Sequence, residues 1–125
     1  MWRRERSLSI KIASRGDVWL VNFDPTLGSE INKKRPAAVV SSDALGILPL
    51  VVVVPLTDWK ERYAKNLWHI KIANDTLNGL DKTSAADALQ IRSVSTQRLV
   101  KKLGSISPTA MEEIAAAIAA VIEYQ

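Results

Sequence analysis

The chain has 125 residues, the length of a single domain with its own core. It has no cysteine and one histidine, His69, which excludes disulfides, thiolate zinc sites, iron–sulfur clusters, thiol nucleophiles and His-pair catalysis within one chain. The formal charge of +4 lies wholly within residues 1–15, where Arg3, Arg4, Arg6, Lys11 and Arg15 face Glu5 alone; residues 16–125 are neutral, which argues against a globally basic nucleic-acid binder.

Residues 1–14 are charged and serine-containing and predict a basic N-terminal arm, which Trp2, Ile10 and Ile12 can dock onto the body. The remaining residues, 15–125, predict one domain. Neither Leu8–Ile12 nor any other apolar run suits a secretory signal or the ~18 residues of a membrane span. Asp17–Phe23 (DVWLVNF) predicts a strand with Val18 and Leu20 on one face and Trp19, Val21 and Phe23 on the other, so both faces must be covered. Asp24–Arg35 (DPTLGSEINKKR) predicts a long loop, functional or mobile. Pro36–Val40 is a second strand with proline at its start, and Ser41–Asp43 caps a helical turn over 44–48. Leu50–Val54 (LVVVV) predicts the central strand, ended by Pro55.

Leu56–Asn66 is a polar, net basic loop, followed by an alternating strand, Trp68–Ile72, with His69 and Lys71 outward. Asn74–Lys82 is turn-rich. Ser84–Val94 contains another strand, Ser95–Leu99 a helical turn, and Val100–Ile106 a short strand broken at Gly104. The end is a helix, with Ser107 as N-cap, Pro108 in the first turn and an apolar stripe of Met111, Ile114, Ala115, Ile118, Val121 and Ile122. Short strands followed by one helix predict a small antiparallel barrel, or a strongly bent sheet, with a terminal helix.

No phosphate-binding P-loop, dinucleotide-binding glycine pattern or HExxH helix is present. Two polar loops after strands are the candidates. The first ends in Lys33, Lys34 and Arg35. A guanidinium at Arg35 stays charged and can hold a phosphate bidentately; equally, it can be a solvated surface charge or the partner of Asp24 or Glu30. The second starts at Thr57, whose hydroxyl can serve a phosphate oxygen or merely cap a turn. Trp59 and Tyr63, set among Lys60, Arg62 and Lys65, suit stacking on unpaired bases or a plug over the barrel end.

These same residues carry a family resemblance. Arg15–Glu30 (RGDVWLVNFDPTLGSE), Lys34–Ser41 (KRPAAVVS), Val53–Thr57 (VVPLT), Leu89–Val94 (LQIRSV), Gln97–Leu99 and the closing helix resemble the MazF/PemK (Kid) toxins of bacterial toxin–antitoxin modules over roughly residues 15–122. The resemblance implies an SH3-like antiparallel barrel with a C-terminal helix and a cytoplasmic homodimer. It implies a metal-independent, cofactor-free endoribonuclease that cleaves single-stranded RNA, often mRNA, at short sequences. It also implies a cognate antitoxin with a flexible, often acidic tail. The family's catalytic Arg falls on Arg35 and its catalytic Thr on Thr57, while Ser29 and Glu30 fall in the bordering loop. With Lys33, Lys34, Trp59, Lys60, Arg62, Gln90 and Arg92 these make the expected RNA-contacting set. Two departures stand out: the arm is longer than is usual in the family, and Leu89 stands where many members carry an acid, with Asp87 two residues earlier as a substitute. The expected chemistry is attack of the RNA 2′-OH on phosphorus, leaving a 2′,3′-cyclic phosphate or its opened 3′-phosphate and a 5′-OH end. Arg35 then acts as charge stabiliser or acid, and Glu30 or Asp24 is a possible base if the loop folds over the RNA. Two rival readings are a gyrase-poisoning toxin of the CcdB type and a non-catalytic SH3-like module that binds RNA or an antitoxin.

Overall fold

A computed structural model describes residues 12–124. The docking expected of Trp2 and Ile10 lies outside them. Among the described residues, seven strands and one α-helix follow one another: β1 Asp17–Asn22, β2 Lys34–Val39, β3 Leu50–Asp58, β4 His69–Ile72, β5 Ser84–Asp87, β6 Arg92–Ser95, β7 Leu99–Ser105 and α1 Pro108–Val121. Among the described residues, no helix is long and apolar enough to cross a membrane.

The strands form one bent antiparallel sheet in the order β4-β5-β3-β2-β1-β7, with β6 also paired to β3. The hydrogen-bonded ladder does not close into a complete barrel, because β4 and β7 each have one paired neighbour. Instead, the turn after β4 lies on β7. The Ser105 N–H donates to the Leu77 carbonyl at 2.9 Å. A Cβ at Gly104 would lie 2.2 Å from the Leu77 oxygen, and one at Gly79, where φ is +67°, would lie 2.2 Å from the Leu103 oxygen. Backbone meets backbone there because both positions lack a side chain. Asn78, only 2% exposed, pins the turn from inside. Its Oδ1 accepts from the Asp75 and Leu80 N–H groups, and its Nδ2 donates to the Ala73 carbonyl.

Alternation along β1 divides the core largely as its sequence predicts, although Leu20, expected beside Val18, is only half-buried and joins neither cluster. Val18 joins Ala38, Val54, Leu56, Ile72 and Ile106 on the face that α1 covers with Met111 and Ile114. Trp19, Val21 and Phe23 pack with Val39, Val53, Val94 and Leu99 on the other face, with Ala13 against them. The helix begins as expected, with the Ser107 Oγ accepting from the Ala110 N–H and Pro108 in the first turn. Its buried stripe is shorter than its periodicity suggests: α1 stops at Val121, and Ile122 is 66% exposed.

Three local expectations change. The central strand does not stop at Pro55 but runs to Asp58. One edge of β3 is shared by two partners, β6 opposite Leu50–Val53 and β5 opposite Leu56–Asp58. Pro55 falls in the gap between them, so its missing N–H breaks no ladder bond on that edge. Ser84–Val94 divides into β5 and β6 because Asp87 turns the chain, its Oδ1 accepting from the Leu89 N–H. His69 does not face solvent. Its side chain is 8% exposed, since the short 3-10 turn Glu61–Lys65 folds over it. Tyr63 stacks on its ring at 3.9 Å, with Asn66 Nδ2 3.0 Å from Nδ1 and Asp87 Oδ2 3.6 Å from Nε2.

Candidate active site

The site lies where β2 and β3 part. Their ladder pairs Val39 with Val53, Ala38 with Val54 and Ala37 with Pro55. Continued two residues further, this register sets Arg35 opposite Thr57. Between them stand Pro36 and Leu56, and with Pro55 the two strands lack two N–H donors over this stretch. Beyond Pro55, β3 leaves β2 and takes β5 as partner, with Thr57 opposite Ala85. Arg35 remains held on the other side of β2, opposite Val21 of β1. Both backbones are therefore fixed by ladders, while their side chains border a gap.

That gap is an open cleft of about 210 Å³, lined on one side by Lys34, Arg35, Pro36, Leu56, Thr57 and Asp58. The lining is completed by Leu80, Asp81, Lys82 and Ser84, which lead into β5, where Ser84 pairs with Asp58. The Arg35 Nε donates to the Asn32 carbonyl at 3.3 Å, leaving the terminal nitrogens of its fork for a ligand. Lys82 Nζ is 3.0 Å from Asp58 Oδ2 across the rim, an exposed pair of little energetic weight. The Ser84 Oγ donates to the Lys82 carbonyl at 3.0 Å and steadies that wall.

The long loop after β1 is tied down along its length. The Phe23 N–H donates to the Lys33 carbonyl and the Lys33 N–H to Asp24 Oδ1, both at 2.9 Å. Glu30 Oε1 accepts from the Leu27 N–H at 2.6 Å. Gln90 clamps the loop from β5–β6: its Oε1 accepts from the Ile31 N–H at 2.8 Å and its Nε2 donates to the Ser29 carbonyl at 3.0 Å. Arg98 Nη1 donates to the carbonyls of Asn22 and Asp24 at the loop's root. Ser29, Glu30, Gln90 and Arg92 line a second concavity of about 470 Å³ with Leu89 and Ile91. The Arg92 guanidinium there lies 5.4 Å from the Phe23 ring centre.

Of the residues expected from the sequence, the first cleft brings together Lys34, Arg35 and Thr57, and the second Ser29, Glu30, Gln90 and Arg92. Lys33 belongs to the loop between them, at a φ of +64°. Trp59, Lys60 and Arg62 line neither. Trp59 Nε1 donates to Glu61 Oε2 at 2.8 Å, Lys71 Nζ lies 5.3 Å from its ring, and its edge meets Tyr63. Arg62 sits over Tyr63 at 5.3 Å. These groups form a cap over His69 and β4.

The family model for the PemK-like, MazF-like toxin of type II toxin–antitoxin systems matches residues 14–122. The chain belongs to this family. It is 35% identical over 106 residues to endoribonuclease MazF9 of Mycobacterium tuberculosis, covering 80% of this chain and 87% of that protein. It is also 35% identical over 101 residues to endoribonuclease MazF of Staphylococcus epidermidis, covering 80% and 82%. The fold agrees with MazF from Deinococcus radiodurans at a TM-score of 0.76 and 20% identity, over 90% of this chain and 98% of that one. A mycobacterial endoribonuclease solved in complex with its cognate antitoxin superposes at 0.70 and 20% identity, over 91% and 98%.

Within this PemK/MazF-like chain, sequence reasoning missed the wall formed by Leu80, Asp81, Lys82 and Ser84. No local signal marks it, since Asn74–Lys82 reads as an ordinary polar turn. The available clues were the glycines at 79 and 104, residues whose missing side chains permit the close approach.

Proposed function

We propose that this protein is the toxin of a toxin–antitoxin module and an endoribonuclease that cleaves single-stranded RNA, including mRNA, at short sequences. The observation that carries the reading is that Arg35 and Thr57 line one cleft, two residues beyond the last pair of the β2–β3 ladder, in a chain of the PemK/MazF family. The substrate phosphate sits between them. Attack by the neighbouring 2′-OH gives a 2′,3′-cyclic phosphate, or its opened 3′-phosphate, and a 5′-OH end without a metal. Arg35 stabilises the charge that accumulates on the phosphoryl oxygens, and the Thr57 hydroxyl donates a second hydrogen bond.

Lys34 extends the positive rim. Ser29, Glu30, Lys33, Gln90 and Arg92 border the flanking groove, and an RNA that extends beyond both clefts meets Trp59, Lys60 and Arg62 on the cap over His69. The amide of Gln90 acts there by shaping the loop, since its carbonyl and amino groups are both bound to the loop backbone. Because residues 16–125 are neutral, RNA affinity rests on this local placement rather than on net charge.

The same groove takes a cognate antitoxin, and the basic arm expected over residues 1–14 adds non-specific affinity for RNA, with Ala13 and Ser14 held against the domain. A cytoplasmic homodimer completes the reading, supported by the exposed Leu45, Ile47, Leu48 and Leu50 around a concavity of about 300 Å³ that a second copy can cover. Digestion of a long RNA in EDTA, with sequencing of the 5′-OH ends, tests the function. Discrete sites sharing a short sequence are expected. Intact RNA from folded protein refutes it and leaves the binding-module reading in place.

A further inference from the structure

Metal-free attack by a 2′-OH needs a group to take its proton, and the two carboxylates expected from the sequence are engaged elsewhere. Asp24 Oδ1 accepts from the Lys33 N–H, Glu30 Oε1 accepts from the Leu27 N–H, and neither lines the cleft that holds Arg35 and Thr57. His69 is sequestered beneath Tyr63. Two carboxylates do line that cleft, Asp58 and Asp81. Asp58 is paired with Lys82. Asp81 is exposed and, among the described residues, has neither an ion pair nor a hydrogen bond to its side chain, so its acceptor oxygens are open to a ligand.

Its position is well held. Leu80 beside it is 7% exposed, its N–H bound to Asn78 Oδ1, and Gly79 rests on the Leu103 carbonyl of β7. A catalytic acceptor needs this kind of placement, in the same cleft as the charge-stabilising groups and next to residues fixed by packing.

We propose that Asp81 is the general base of the cleavage, a proposal that rests on the endoribonuclease reading above. Its carboxylate takes the 2′-OH proton as the 2′ oxygen forms its bond to phosphorus. The P–O5′ bond breaks with its electron pair on O5′. That oxygen takes a proton from water, and Asp81 returns its own proton to the hydroxide left behind. The phosphate oxygens stay against Arg35 and Thr57 throughout.

The test compares wild-type, Asp81→Asn and Asp81→Glu proteins in single-turnover cleavage of a long transcript in EDTA. Binding is measured separately, with an oligonucleotide of the mapped cleavage site made uncleavable by a 2′-O-methyl group. Asp81→Asn is expected to lose roughly 10²-fold or more in rate while binding the oligonucleotide within a few-fold of wild type. Asp81→Glu, which keeps the carboxylate, is expected to recover part of the loss. Cleavage by Asp81→Asn within a few-fold of wild type overturns the assignment, as does a rate loss matched by an equal loss of binding. Both outcomes leave the endoribonuclease reading standing so long as wild type produces 5′-OH ends. If folded wild type produces none, that reading fails and this proposal with it.

Discussion

The contact of the Asp75–Gly79 turn with β7 is the point at which fold and site can be tested together, and Gly104→Ala is the perturbation. The new Cβ would lie 2.2 Å from the Leu77 oxygen and 2.7 Å from the Asn78 carbonyl carbon. Both atoms belong to backbone, so no side chain can swing aside. The turn must retreat by roughly 1.2 Å to reach ordinary contact near 3.4 Å. Overpacking of this kind costs about 1–3 kcal/mol. The retreat also breaks the Ser105 N–H bond to the Leu77 carbonyl, worth about 0.5–1.5 kcal/mol. The stiffer unfolded chain returns about 0.4–1 kcal/mol. The net is a loss of about 0.5–4 kcal/mol, which lowers Tm by roughly 2–16 °C in a domain of this size. Circular dichroism or calorimetry reads the shift. Because Leu80, Asp81 and Lys82 follow the same turn, cleavage measured well below Tm is expected to fall as well. A Tm within about 2 °C of wild type would refute the reasoning, since it would mean that the turn does not bear on β7 as packed. Gly79→Ala adds a strained φ to a similar clash and is expected to cost more.

Other outcomes follow from the same geometry. Arg35→Ala is expected to keep its fold and lose cleavage by about 10²–10³-fold or more, read as 5′-OH ends per unit time; near-wild-type cleavage would remove Arg35 from the site. Thr57→Val keeps the shape of the side chain and removes only the hydroxyl, so a loss of about 10²-fold in rate with unchanged Tm separates a phosphate contact from a turn cap. Gln90→Ala removes both bonds to the 24–33 loop, and limited proteolysis is expected to cut near Ser29 and Glu30 faster than in wild type. Removing residues 1–11 takes away Arg3, Arg4, Arg6 and Lys11 together with Glu5. Non-specific RNA binding is then expected to weaken and to depend less steeply on salt, with cleavage at the mapped sites retained.

The sequence by itself determined much of this protein. Alternation in Asp17–Phe23 announced a strand covered on both faces, and Val18 and Trp19 do lie in separate core clusters. Ser107, Pro108 and a stripe beginning at Met111 and Ile114 marked the helix and most of its buried face, though Ala117, outside that stripe, is buried as well. The ordered motif from Arg15 to Thr57 pointed to the family to which the chain belongs. These features are local, or are carried by residue identity, so a linear reading reaches them.

Tertiary structure decided what depends on segments far apart in sequence. Pro55 reads as a strand end, yet β3 passes through it, because β6 and β5 divide that edge and leave a gap where the proline stands. His69 alternates outward from its strand, yet the following contacts bury it, because the 61–65 turn brings Tyr63 across its ring. The loop after β1 reads as functional or mobile without a way to choose, and it is Gln90, about sixty positions away, that holds its backbone. Most of all, Leu80, Asp81 and Lys82 border the cleft because β5 pairs with the end of β3, Ser84 against Asp58, and because the turn before Leu80 rests on β7, where two glycines let backbone meet backbone. Arg35 and Thr57 can be named from the chain alone; the presence of Asp81 in the same cleft follows from packing between residues whose partners no local pattern specifies.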